Sequence, residues 1–223
     1  MDKLVAIERI RAKLSSGKAS VGAWLQLASP SVGEIFGALG YDWVVVDREH
    51  GDSTNHNLRE IVRAISLRGA APLARVATDS VSELKFVMEA GCVGVLVPNV
   101  ISVTQLELIQ DNLFWPPAGQ RGVGFSAANC YGEEFVSYSE FALKPLLVPM
   151  IESAKAISNL HGICSNRNID AIFIGPYDLS ASLGVSGHFD APLFMDALAE
   201  IVKVSSAHGV PVGMHIVQPN REE

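Results

Sequence analysis

A chain of 223 residues with 48% hydrophobic content and a formal charge of −7 can bury one sizeable core, as single α/β barrel domains of about this length do. The charge disfavours nucleic acid or an anionic membrane surface as a partner, and an anionic substrate would need local positive help. Three cysteines without a CxxC pair suggest neither a disulfide framework nor a zinc knuckle and fit a reducing cytoplasm.

The opening MDKLVAIERIRAKL alternates charged and apolar residues at helical spacing, which predicts a helix rather than the unbroken apolar core of a signal peptide. No later stretch reaches the roughly 20 apolar residues that a bilayer span needs. After this helix, short runs of Val, Ile and Leu recur, each followed by a polar turn and a stretch of helical periodicity. Strands are expected near Val21 to Leu27, Trp43 to Asp47, Pro72 to Val76, Gly94 to Pro98, Leu146 to Ile151, Ala171 to Ile174 and Val210 to Val217. The intervals predict helices over SPSVGEIFGALG, TNHNLREIVRAISLRG, DSVSELKFVMEAG, SVTQLELIQDNLF, SAKAISNLHGIC and APLFMDALAEIVKVSSAHG. Several open on a Ser or Asp able to cap free amides and close on Gly, which tolerates the left-handed exit.

Strands this apolar belong in a parallel sheet covered by helices, and a (β/α)8 TIM barrel forming one domain over residues 1–223 is the simplest closure. Seven strands stand against the eight of such a barrel. QPNREE reads as the opening of a further helix, so the last strand and helix are expected beyond this chain.

The C-terminal ends of barrel strands face the active-site mouth. The run VVVDREHG therefore delivers Asp47, Arg48, Glu49 and His50 to that mouth. Arg75 closes PLARV, Glu152 follows VPMI and Asp178 follows IFIGPY. Glu152 and Asp178 are hard oxygen donors without a His or Cys at ligand spacing, which suits Mg²⁺, Mn²⁺ or a similar octahedral ion; the alternative is that each caps the helix after it. His50 is the residue suited to carrying a proton, with Asp47 near enough in sequence to orient its ring; the alternative is a histidine satisfied by loop carbonyls. Arg75 can stabilise a developing enolate or carbonyl oxygen, or staple strand ends through an ion pair to Glu49 or Asp47.

Other signals carry less. His56, His161 and His208 fall in turns or helix ends and read as solvated, His188 lies in a Gly-flanked loop, and His215 reads as core. Trp24 is core or ligand wall, and Arg121 in PPAGQRGVG is a loop anchor. No strand end carries a lysine placed for Schiff-base chemistry. A glycine-rich phosphate loop after the seventh strand, GxSxG, HExxH and GxGxxG are all absent.

GAWLQLASPSVGEIFGALGYDWVVVDREHG, PLARV, LKFVMEAG, VLVPNV, PPAGQRGVG, VPMIES and IDAIFIGPYDLSASLG, in this order, closely resemble the HpcH/HpaI family of class II, metal-dependent 2-oxo acid aldolases. The resemblance implies a (β/α)8 barrel in a homo-oligomer, commonly a hexamer built as a trimer of dimers. It also implies that Glu152 and Asp178 hold a divalent ion (Mg, Mn or Co). Arg75 would then stabilise the enolate, and His50 paired with Asp47 would serve as acid and base at the 4-hydroxyl. The pyruvate carboxylate would be received around Gly175, Pro176 and Tyr177, with Trp24 lining the pocket. Glu89 matches an acidic position, usually Asp, that reaches a neighbouring subunit's site. Arg48 stands where relatives often carry a small residue, and Met150 where many carry Gln. The implied reaction cleaves a 4-hydroxy-2-oxo acid into pyruvate and an aldehyde. Oxaloacetate decarboxylation, acyl-CoA cleavage and a non-catalytic metal-binding barrel are the alternatives.

Overall fold

Each apolar run forms a strand, and every described strand pairing is parallel. The computed structural model describes residues 3–216. The elements run α1 (Lys3–Ser15), β1 (Gly22–Leu25), α2 (Pro30–Ala38), β2 (Trp43–Asp47), α3 (Leu58–Leu67), β3 (Ala71–Arg75), α4 (Val81–Ala90), β4 (Gly94–Val97) and α5 (Val103–Leu113). They continue with a 3₁₀ segment (Ala127–Gly132), α6 (Phe135–Ala142), β5 (Leu146–Ile151), α7 (Ala154–Ser158), α8 (Leu160–Ser165), β6 (Ile172–Ile174), α9 (Pro176–Ser182), α10 (Pro192–His208) and β7 (Val212–Met214). The strands follow chain order, β1 to β7, in a seven-stranded sheet. The result is a parallel α/β fold, and QPNREE, expected to open a helix, lies outside the described residues.

Two compact units divide the chain: one holds the residues up to Pro98 together with Glu107–Leu147, the other Asn99–Leu106 together with the residues from Val148 onward. In the first, Val44, Val45 and Val46 of β2 are buried, as is the whole of β3. Burial on both faces explains why these strands read as continuous apolar runs, at roughly 1.5–3 kcal/mol for each large side chain.

Some boundaries shift for local reasons. β1 stops at Leu25 because the Gln26 carbonyl turns to accept the Asp52 N–H at 2.9 Å. Gly51 permits this approach, since a Cβ there would lie 2.8 Å from the Gln26 oxygen and against the Asp47 carbonyl. The single helix expected over SAKAISNLHGIC is divided into α7 and α8 at Asn159, whose amide donates to the Ile101 carbonyl at 2.9 Å. The 3₁₀ segment, α6 and α9 add to the expected elements.

Candidate active site

In the first unit, the parallel register sets Asp47 at the end of β2 beside Arg75 at the end of β3. Asp47 is fully buried, so its charge must be met inside the protein. Arg75 meets it in bidentate form, Nε donating to Oδ1 at 2.9 Å and Nη2 to Oδ2 at 2.6 Å. Trp24 Nε1 donates to Oδ2 at 3.2 Å, and the main-chain N–H groups of Glu49 and His50 donate to Oδ1 at 3.1 and 3.2 Å. Burial pushes this carboxyl up, but the Arg75 and His50 hydrogen bonds and the guanidinium charge outweigh it and hold Asp47 below the ordinary aspartate range.

The guanidinium is clamped on its other sides as well. Its Nη1 lies 3.1 Å from Glu49 Oε2, and its carbon sits 5.1 Å from the Trp24 ring centre, a cation–π distance. The strand-end ion pair considered from the sequence is thus present. Asp47 reaches His50 through the main chain, and the imidazole is on an exposed residue.

In the second unit, β5 and β6 pair Ile151 with Ile174, which sets Glu152 beside Gly175. Glu152 is only 3% exposed, and its Oε2 accepts the Asn99 N–H at 2.9 Å. Asn99 has φ of 53°, a left-handed conformation that asparagine tolerates better than most residues. Glu152 does not cap the next helix: Ser153 does, accepting the Ala156 N–H at 3.2 Å. Its carboxylate instead lies across Gly175, where an added Cβ would meet Oε1 and come within 2.8 Å of Cγ. Asp178 is exposed in the first turn of α9, which Pro176 opens. Register therefore sets Glu152 beside Gly175, and Asp178 follows in the first turn of α9.

Among the described residues, no group of three or more His, Cys, Asp or Glu side chains is placed to hold a metal. The oxygen donors at adjacent strand ends fit a hard divalent ion that keeps much of its shell as water and substrate oxygens, rather than a closed tetrahedral site.

The remaining candidates have plainer surroundings. Tyr177 is exposed and edge-on to Phe189 at 5.1 Å between ring centres. Glu89 lies 3.8 Å from Lys85 one helical turn away. Arg48 is bound to Glu83 at 2.6 Å and to Asn55 at 2.8 Å, and packs over Phe86. Arg121 is a buried loop anchor, donating to the Leu113 carbonyl at 2.7 Å. Sequence reasoning anticipated Glu49 as a partner of Arg75 and missed Asn99 as a supporting group. VPNV, with an Asn directly after a strand, held the only signal for Asn99.

A model of the HpcH/HpaI aldolase/citrate lyase family matches residues 20–223. The chain belongs to that family. It is 30% identical over 215 residues to the 5-keto-4-deoxy-D-glucarate aldolase of Escherichia coli (strain K12), covering 96% of this chain and 84% of that protein. It is 34% identical over 213 residues to the 4-hydroxy-2-oxovalerate aldolase of Novosphingobium aromaticivorans, covering 93% and 80%. The crystal structure of an HpcH/HpaI aldolase/citrate lyase family protein from Burkholderia cenocepacia J2315 is similar at a TM-score of 0.86 and 27% identity, over 92% of this chain and 83% of that one. With relatives that are named aldolases, the chain is an enzyme of the aldolase kind. No helix among the described residues is long and apolar enough to cross a membrane.

Proposed function

We propose that this enzyme is a divalent-metal-dependent aldolase that cleaves a 4-hydroxy-2-oxo acid into pyruvate and an aldehyde, on a sheet that forms part of a (β/α)8 barrel. The observation that carries the reading is Glu152: a buried carboxylate, with helix capping left to Ser153, laid across Gly175 just before the helix that carries Asp178. The names of the aldolase relatives support the substrate class.

Glu152 and Asp178 would hold the ion, with Mg²⁺, Mn²⁺ or Co²⁺ as candidates. When bound, such an ion supplies Lewis-acid polarisation of the 2-oxo group. Arg75 keeps a fixed positive charge, pre-oriented by Asp47 and Trp24, and stabilises negative charge growing on the 2-oxo oxygen as the C3–C4 bond breaks. Asp47 is the positioning residue for that guanidinium. It also fixes the His50 main chain, leaving the exposed imidazole to take the proton from the 4-hydroxyl and return it. The main chain around Gly175, Pro176 and Tyr177 would receive the pyruvate carboxylate, and Trp24, against the Arg75 guanidinium, would line the substrate. Glu89 would reach a neighbouring subunit in a homo-oligomer.

The test is exchange of the pyruvate methyl protons in deuterated water with Mn²⁺ or Co²⁺, repeated with chelator. Exchange that needs the metal, falls sharply in Arg75→Ala and vanishes in Glu152→Ala is expected. Exchange indifferent to chelator would sink the reading.

A further inference from the structure

His161 and His208 are each an ordinary exposed histidine in the sequence, separated by 47 positions. The fold brings them together. His161 stands in the first turn of α8 and His208 is the last residue of α10, which ends at Gly209 in a left-handed cap with φ of 68°. Their facing nitrogens, His161 Nδ1 and His208 Nε2, are 3.3 Å apart, with the rings inclined at 67°.

This separation is within hydrogen-bond reach, with donor and acceptor set by the tautomers. It also matches a different geometry. A tetrahedral Zn²⁺ with bonds of about 2.0–2.1 Å to two imidazole nitrogens holds them about 3.3–3.4 Å apart. Both side chains start from helices, so the backbone holds the two rings within reach of one ion. The C-terminal end of α10 carries partial negative charge, and the chain as a whole is anionic at −7. Both features favour a cation there. No third His, Cys, Asp or Glu joins the pair among the described residues. Cys164, one turn along α8, is buried with its thiol pushed up to about 11 by desolvation, so solvent would complete the shell.

We propose that His161 Nδ1 and His208 Nε2 chelate a borderline divalent transition-metal ion of the Zn²⁺, Ni²⁺ or Cu²⁺ class, clipping α8 to the end of α10. His161 then carries its remaining proton on Nε2 and His208 on Nδ1, so chelation by the neutral pair needs only the tautomers that leave the facing nitrogens bare. The site is distinct in chemistry from Glu152 and Asp178. Nitrogen donors select borderline ions and reject Mg²⁺, while the carboxylate pair accepts either. Because two elements far apart in sequence must be folded to chelate together, the ion stabilises the folded chain, the more so the further its free concentration exceeds Kd.

Calorimetric titration of the whole chain with Zn²⁺ and with Mg²⁺ tests the clip. Zn²⁺ should fill two classes of site and Mg²⁺ one. His161→Ala and His208→Ala should each abolish the same Zn²⁺ class and leave the Mg²⁺ class intact, which also reports that the variants are folded. Asp178→Asn should abolish the other class. Cu²⁺ bound at the clip should show hyperfine coupling to two imidazole nitrogens, lost in either histidine variant. A single Zn²⁺ class indifferent to both histidine changes overturns the proposal, as does the persistence of both Zn²⁺ classes after either change alone. A Zn²⁺ clip that persists while Asp178→Asn removes nothing would count against the carboxylate site instead.

Discussion

The two acidic clusters at strand ends solve opposite problems. At the end of β2, Asp47 has both oxygens engaged by one guanidinium and by main-chain amides, so its charge is spent on holding Arg75 in place. At the end of β5, Glu152 is fitted against a glycine and takes an amide from Asn99, while Asp178 stands exposed at the start of α9. The first cluster is built round a bidentate ion pair, and in the second a main-chain amide and a close glycine help to fix Glu152. A carboxylate locked to a guanidinium makes a rigid support, whereas carboxylates placed by the backbone suit an exchangeable ligand.

Arg75→Ala should break that contrast most severely. It strands a buried carboxylate, a loss of about 3–5 kcal/mol for a buried pair, readable as a lower urea midpoint. Arg75→Lys, which keeps the charge but not the fork, should lie between it and the parent. Gly175→Ala attacks the other cluster by volume alone: displacing Glu152 should cost about 1–3 kcal/mol and weaken Mn²⁺ affinity in a calorimetric titration.

Acid distinguishes the clusters next. Asp47 has its pKa depressed on folding, so its stabilisation is fully present above the unfolded aspartate value of about 3.9 and is lost as pH falls through the lower folded value. Urea midpoints should therefore drop on acidification below that range, and Asp47→Asn should flatten the drop. The smallest stability effect belongs to Asp178→Asn. At an exposed site the change should stay within about 0.5 kcal/mol, while metal-dependent pyruvate proton exchange disappears. Retained exchange would remove Asp178 from the metal site.

Much of this was legible in one dimension. Continuous apolar runs gave parallel strands because burial on both faces leaves no polar alternation, and the ionisable residues directly after those runs, Asp47, Arg75 and Glu152, fell at strand ends as parallel topology requires. The division of α7 from α8 was not legible, because it depends on Asn159 reaching Ile101 across 58 positions.

By itself the sequence determined the order of the strands and which chemical groups end each of them, since local periodicity and burial act along the chain. Only the tertiary structure decided what those groups do to one another. It gave Asp47 to Arg75, 28 positions away, and set His161 opposite His208, 47 positions away. Each of these outcomes depends on distances between residues whose separation in sequence carries no information about their separation in space.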